Sequence, residues 1–280
     1  MGFSRILFEP NQTTPTFWAA SDEGELALID WTIRPEKGEG NESKPAEYIQ
    51  REYNTERNCR PCLALSRSPF FPNLLMTIHD FHFAIWDTSL QDREEPIFRS
   101  ANTFGSHNTC GDFSPTRPGV IFITKTNGID IWDFYDQSDK PSIVIPQANT
   151  SITFFKLHTV TSPPPAKKTS QFMAYGDETE GNFHLQEVTP NLRQAPSNEE
   201  EVIRRFWANE VVKCNYVKER RVTLKEEWME SERREAIEKA KREGAAEEMA
   251  EELARAAEEE AERKYQDMLL LTKAKLGIIT

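Results

Sequence analysis

Cys59-x-x-Cys62 followed by His79-x-x-His82 gives this chain the residue types of a metal site. A cysteine pair with two residues between has zinc-ligand spacing, but the histidine pair falls short of the roughly three to five intervening residues common in zinc fingers. Burial accounts for these residues more simply: Cys62 opens an apolar strand, and His79 and His82 flank a hairpin. A redox Cys-x-x-Cys needs a strand-to-helix setting, and this one enters a strand. No nucleophile elbow, Walker loop or glycine-rich dinucleotide turn occurs in the sequence. The expectation is a protein without catalytic residues, cofactor or metal.

The positions that recur are of another kind. SDEGELALID (Ser21 to Asp30), IHDFHFAIWD (Ile78 to Asp87) and TKTNGIDIWD (Thr124 to Asp133) each place a polar turn before an alternating apolar strand that ends in Asp. Two end in Trp-Asp, at Trp86-Asp87 and Trp132-Asp133, and the terminal Asp residues lie 57 and 46 residues apart. A fourth, degenerate copy ends in NFHLQEV at Glu187. A period of about forty to fifty-five residues with a Trp-Asp ending is the signature of WD-repeat propeller blades. In a blade the indole packs between sheets and the carboxylate caps a turn, so Asp30, Trp86, Asp87, Trp132 and Asp133 read as structural positions.

Those positions need strands to hold them. The units parse as SRILFEPN, PTFWAAS and ELALIDW; PCLALSRSPFFPN, LLMTIHD and FHFAIWD; TCGDFSPTRPG, VIFITKT and GIDIWDF; SITFFKLH, SQFMAYGD and NFHLQEV. Asn127-Gly128 is the expected centre of the third unit's hairpin turn. The polar insertions GEGNESKPAEYIQREYNTERN and TVTSPPPAKKT are expected as surface loops. Phe70 and Phe71, between Pro69 and Pro72, mark a rim turn, where core packing competes with partner binding. About four blades are fewer than a closed ring usually needs. The ring is therefore expected to be incomplete, either as a split or truncated gene product or with another chain supplying the missing blades.

All but one of the prolines precede residue 191, the last is Pro196, and the rest of the chain is rich in Glu, Ala, Lys and Arg. This divides the sequence into a partial WD-repeat propeller, 1–192, and a charged helical tail, 193–280. Ile203, Trp207, Val211, Cys214, Val217, Leu224 and Trp228 fall on one helical face. That stripe either packs on the last blade or binds another chain, which makes Trp207 and Trp228 candidate partner-binding residues. Beyond it, a stripe made largely of alanine reads as a solvated single helix unless a partner covers Met249 and Leu253.

RSPFF (Arg67 to Phe71), FAIW (Phe83 to Trp86), FSPTRPGVIF (Phe113 to Phe122) and GIDIWDF (Gly128 to Phe134), in this order and spacing, carry more than a generic blade pattern. The chain resembles the C-terminal half of the axonemal dynein intermediate chains, in particular the WD-repeat chain of the two-headed inner dynein arm. The resemblance covers roughly Phe3 to Arg221. It implies a noncatalytic scaffold that seats a dynein heavy chain tail and helps anchor the motor on axonemal doublet microtubules, beside other intermediate or light chains. It implies a cytoskeletal location in cilia or flagella. A cytoplasmic WD-repeat adaptor unrelated to cilia is the competing reading.

Charge and composition set outer bounds. With Lys+Arg 34 against Asp+Glu 46, a net charge of -12 disfavours a nonspecific grip on nucleic acid or anionic lipid. No apolar run reaches the roughly eighteen residues of a membrane span, and four cysteines at irregular spacing do not form a disulfide framework.

Overall fold

In the computed structural model the described residues are 2–8, 15–32, 49–53, 60–90, 95–102, 105–147, 151–161, 169–178, 181–242 and 246–275, without the side chains of 49–53, 240–242, 246–251 and 274–275. The chain forms two compact units, Met1–Val212 and Lys213–Thr280. The first unit extends beyond the propeller segment expected from composition because it takes in the opening turns of a helix.

The first unit contains four antiparallel meanders in chain order. Strands β1 (Phe3–Phe8), β2 (Thr16–Ser21), β3 (Leu26–Asp30) and β4 (Ile49–Tyr53) form the first sheet; β5 (Cys62–Arg67), β6 (Leu74–His79), β7 (Phe83–Asp87) and β8 (Phe98–Arg99) form the second. The third holds β9 (Asn108–Phe113), β10 (Val120–Lys125), β11 (Gly128–Asp133) and β12 (Ile143–Pro146); the fourth has three strands, β13 (Ile152–Thr161), β14 (Thr169–Asp177) and β15 (Phe183–Glu187). The first three strands of every sheet coincide with the sequence units. The outer strands β4, β8 and β12 do not, and β4 lies inside a segment expected to be loop. Residues 162–168 of the other insertion lie outside the described residues.

Sheets stacked face to face bury both sides of their middle strands, so these read as continuous apolar runs instead of alternating ones. LLMTIH of β6 and VIFITK of β10 are buried throughout. Three seams result. Trp18, Ala20 and Leu26 meet Leu75, Ala84 and Trp86 between the first and second sheets. Met76, Phe83 and Ile85 meet Ile121, Ile123 and Trp132 between the second and third. Phe122, Ile129 and Ile131 meet Phe155, Met173 and Tyr175 between the third and fourth.

The turn between β10 and β11 departs from expectation. Lys125 pairs with Gly128, so Thr126 and Asn127 are its central residues and Gly128 opens β11. Gly128 has φ 155, and a Cβ there would stand 2.3 Å from the Ile145 carbonyl oxygen. Its glycine serves close approach of β12, not the turn itself.

After β15 come α1 (Pro190–Arg193), α2 (Glu199–Arg242) and α3 (Ala246–Lys275). The boundary between the two units falls within α2. Inside the second unit, the Arg233 guanidinium lies 2.6 Å from Glu260. The chain therefore reverses after α2, bringing Glu260 of α3 to Arg233 of α2, while most described side chains of α3 are exposed. Met249 lies among the residues whose side chains are not described, and Leu253 is exposed.

Candidate functional site: a helix latch and an uncovered sheet face

The three repeat carboxylates do the same work. Asp30, Asp87 and Asp133 each accept a hydrogen bond from the backbone N–H two residues on, at Thr32, Ser89 and Tyr135, and so pin the turn after the third strand. Trp86 is buried and donates through Nε1 to Thr77 Oγ1 at 2.9 Å, which also stands 3.1 Å from His79 Nε2. Trp132 is buried edge-on to Phe83, ring centroids 5.0 Å apart.

Asp133 has a second role. Its Oδ2 lies 2.9 Å from Arg117 in the Pro-bounded turn before β10. Arg117 turns its other edge to Glu199, the first residue of α2: Nε lies 3.1 and 3.0 Å from the two carboxylate oxygens, and Nη2 lies 2.9 Å from one. Glu199 is completely buried and also accepts from the Gly119 N–H at 3.3 Å, while Arg117 donates to the Asn191 carbonyl. Burial opposes the Arg117 charge, but Glu199 and Asp133 outweigh it and hold the guanidinium above its ordinary pKa. The fork-to-fork geometry is the strong form of such a pair.

Apolar contacts continue the latch. A Cβ on Gly119 would meet Ile203 Cδ1 at 2.7 Å, so the missing side chain is what lets α2 seat. Ile203 and Trp207 join the seam between the second and third sheets. Trp207 is 6% exposed and meets Phe134 and Phe98 edge-on, at centroid distances of 5.0 and 6.2 Å. Its Nε1 is buried with no hydrogen-bond partner among the described residues.

The opening of the helical stripe thus packs on the second and third sheets, not on the last blade as one reading had it, and its two tryptophans differ in burial. Trp207 belongs to the first unit; Trp228 lies in the second and is 59% exposed, with Leu224 and Val217 also exposed. Phe71 is buried in the same seam and Phe70 packs against it, with the Arg204 guanidinium 5.5 Å over the Phe71 ring. These two phenylalanines face their own chain. The latch itself was invisible to sequence reasoning because Arg117 and Glu199 stand 82 positions apart. An arginine between prolines in SPTRPG was the only signal, and it names no partner.

Cys59 lies outside the described residues. Cys62 is buried, and burial pushes its thiol up to about 12. His79 and His82 stack at 4.6 Å. Burial lowers the pKa of both, with His82 down to about 3, where the charges of His79, Arg99 and Arg60 add to the effect. Among the described residues, no group of three or more potential ligands gathers at a metal-binding distance. A cleft of about 340 Å³ opens where inner strands converge, and Asp112 at its wall is engaged by Ser66 and Lys156.

The outward face of the fourth sheet contrasts with these closed seams. Phe183 and Leu185 on β15 are 66% and 65% exposed, and Phe154 on β13 is also exposed.

The family model described as the dynein axonemal intermediate chain 3 WD40 domain matches residues 2–188, the span of all four sheets. Dynein axonemal intermediate chain 3 of Homo sapiens is 27% identical over 229 residues, covering 81% of this chain and 24% of the relative. The ciliary dynein intermediate chain 3 of Heliocidaris crassispina is 25% identical over 246 residues, 87% of this chain and 34% of the relative. Dynein axonemal intermediate chain 2 of Homo sapiens is 28% identical over 151 residues, 54% of this chain and 23% of the relative. The chain spans only a quarter to a third of the length of these relatives. With the family model covering every sheet, the chain belongs to the dynein axonemal intermediate chain 3 WD40 domain family.

Proposed function

We propose that the chain works as a noncatalytic intermediate-chain subunit of an axonemal dynein. Its sheets form a rigid seat for the tail of a dynein heavy chain, help hold the motor on axonemal doublet microtubules, and stand beside other intermediate or light chains of the same complex. The observation that carries this reading is the match of all four sheets to an axonemal dynein intermediate chain domain. The internal chemistry agrees: the repeat carboxylates cap turns, and the buried Arg117–Glu199 pair locks a helix, which are architectural uses of polar groups. Axonemal and ciliary relatives support a place in the cilium.

The test is fractionation of ciliated cells that express the tagged chain. Salt extraction of demembranated axonemes should release it together with dynein heavy chains, and the two should cosediment on a sucrose gradient. If the chain stays in the detergent-soluble cytoplasm and heavy chains sediment without it, the protein is a WD-repeat adaptor with no role in cilia.

A further inference from the structure

Beyond the latch, the part of α2 that lies in the second unit keeps an apolar stripe in water. Cys214, Val217, Arg221, Leu224 and Trp228 recur at alternating steps of three and four, the spacing of a coiled-coil seam. Cys214 is half-buried, and Val217, Leu224 and Trp228 are exposed. Lys213, Lys218, Arg220 and Lys225, all exposed, lie within about a quarter turn of this seam. The acidic residues fall elsewhere. Arg233, where Glu260 brings α3 to α2, is about 140° around the helix from Trp228, and Glu219, Glu226 and Glu230 share that far side. Glu227 is the exception and lies 3.1 Å from Arg220; an exposed pair of this kind contributes little and can exchange partners. A chain of net charge -12 thus gathers cations along both borders of an uncovered stripe.

We propose that this face docks an acidic amphipathic helix of a partner protein. The occupant presents an apolar heptad seam to Val217, Leu224 and Trp228, carries Glu or Asp along both borders, and sets a carboxylate opposite Arg221. The apolar part is a narrow strip, as in a helix pair, whereas a membrane-surface helix needs a broad apolar face. An arginine inside the seam calls for a fixed carboxylate, which also sets the register of the two helices. Self-pairing of α2 works against itself: aligned on Arg221, either parallel or antiparallel, it sets Arg221 against Arg221 and lysine border against lysine border, and like charges so placed are costly. The α3 of a second copy is acidic, but its stripe is largely alanine, too small to fill the seam around Trp228. The inference concerns the helix beyond the sheets and does not depend on the proposed dynein role.

The probe is a synthetic helix of about three heptads, with leucine along its seam, glutamate along its borders and one seam glutamate placed to meet Arg221. A matched peptide carries lysine at the same polar positions. Calorimetry with the full chain should give a one-to-one complex with the glutamate peptide that weakens as salt is added, and binding of the lysine peptide at least about tenfold weaker. Leu224→Ser with Trp228→Ser should weaken the glutamate complex at least about tenfold while the melting temperature stays unchanged; Leu224→Ala with Trp228→Ala serves if the first variant unfolds. Lys218→Glu with Lys225→Glu should reverse the preference between the two peptides, and Glu226→Gln, on the far side, should bind like the wild type. Any of four results overturns the proposal: no complex, equal binding of both peptides, a complex that the seam variants leave intact, or a stripe taken up instead by a homodimer or by phosphatidylserine vesicles, either of them abolished by the seam variants. Cosedimentation with heavy chains is scored separately, so failure of the peptide complex leaves the dynein role standing, and the reverse.

Discussion

Helix α2 carries two tryptophans in opposite circumstances. At its opening, Trp207 is sealed into the seam between two sheets, while Trp228 in the second unit stands in water. Both sit on one helical stripe by sequence, so amphipathic spacing alone did not separate them. What separates them is the anchoring upstream: Arg117 and Glu199 fix the start of the helix, and the side-chain gap at Gly119 admits Ile203. Periodicity says which face could be buried, and a small number of specific contacts decide how far along the helix burial extends.

The contrast can be broken most severely at the ion pair. Glu199→Ala leaves the Arg117 guanidinium buried beside Asp133 alone, and losing one member of a buried pair costs about 3–5 kcal/mol. Urea unfolding of the single and double Arg117→Ala variants should show strong coupling. Additive effects would mean that the pair does not hold the helix.

Trp207→Ala comes next, at about 3 kcal/mol, within the range for deleting a large buried aromatic; its unpaired Nε1 means that no hydrogen bond is lost with it. Hydrogen exchange should then accelerate over residues 199–211 and remain unchanged in β10 and β11. Gly119→Ala should cost about 1–2 kcal/mol, the ordinary range for overpacking, because the new methyl displaces the tip of Ile203. Ile203→Val in the same chain should recover part of that loss.

Acid sharpens the comparison from the sheet side. His82 has a folded pKa well below its unfolded value, so the unfolded state binds the extra proton first. Its contribution to stability is intact above the ordinary histidine value of about 6.5 and is lost progressively as pH falls from there toward 3. The midpoint of urea unfolding should drop over this window, and His82→Phe should flatten the pH profile without abolishing folding. Smallest of all, Trp228→Ala should lie within about 0.5 kcal/mol of wild type, as surface substitutions do. A large loss there would show that the exposed part of the helix is covered by something the chain carries with it.

The sequence made the four sheets readable because each unit holds three short apolar strands, and in three units the third strand ends on Asp. It hid β8, which has only two residues, and β4, whose IQREY is too polar to stand out from its surroundings. β12 likewise buries little and leaves little pattern. The turn caps at Asp30, Asp87 and Asp133 were legible for the opposite reason: each is a contact two residues long. The latch needs an arginine, an aspartate and a glutamate brought together by the tertiary fold, and no local rule joins them.

That same separation imposes an order on biosynthesis. Arg117 leaves the ribosome 82 residues before its carboxylate partner, which at roughly 5–20 residues per second is a wait of about 4–16 seconds. Until Glu199 emerges the third sheet has no helix to cover Phe134 or to close the seam at Gly119, and Arg117 has Asp133 alone as its carboxylate partner. The nascent chain therefore passes through a stage with an open aromatic patch, the kind of surface that chaperones recognise, and a stall or a stop before Glu199 would leave it there.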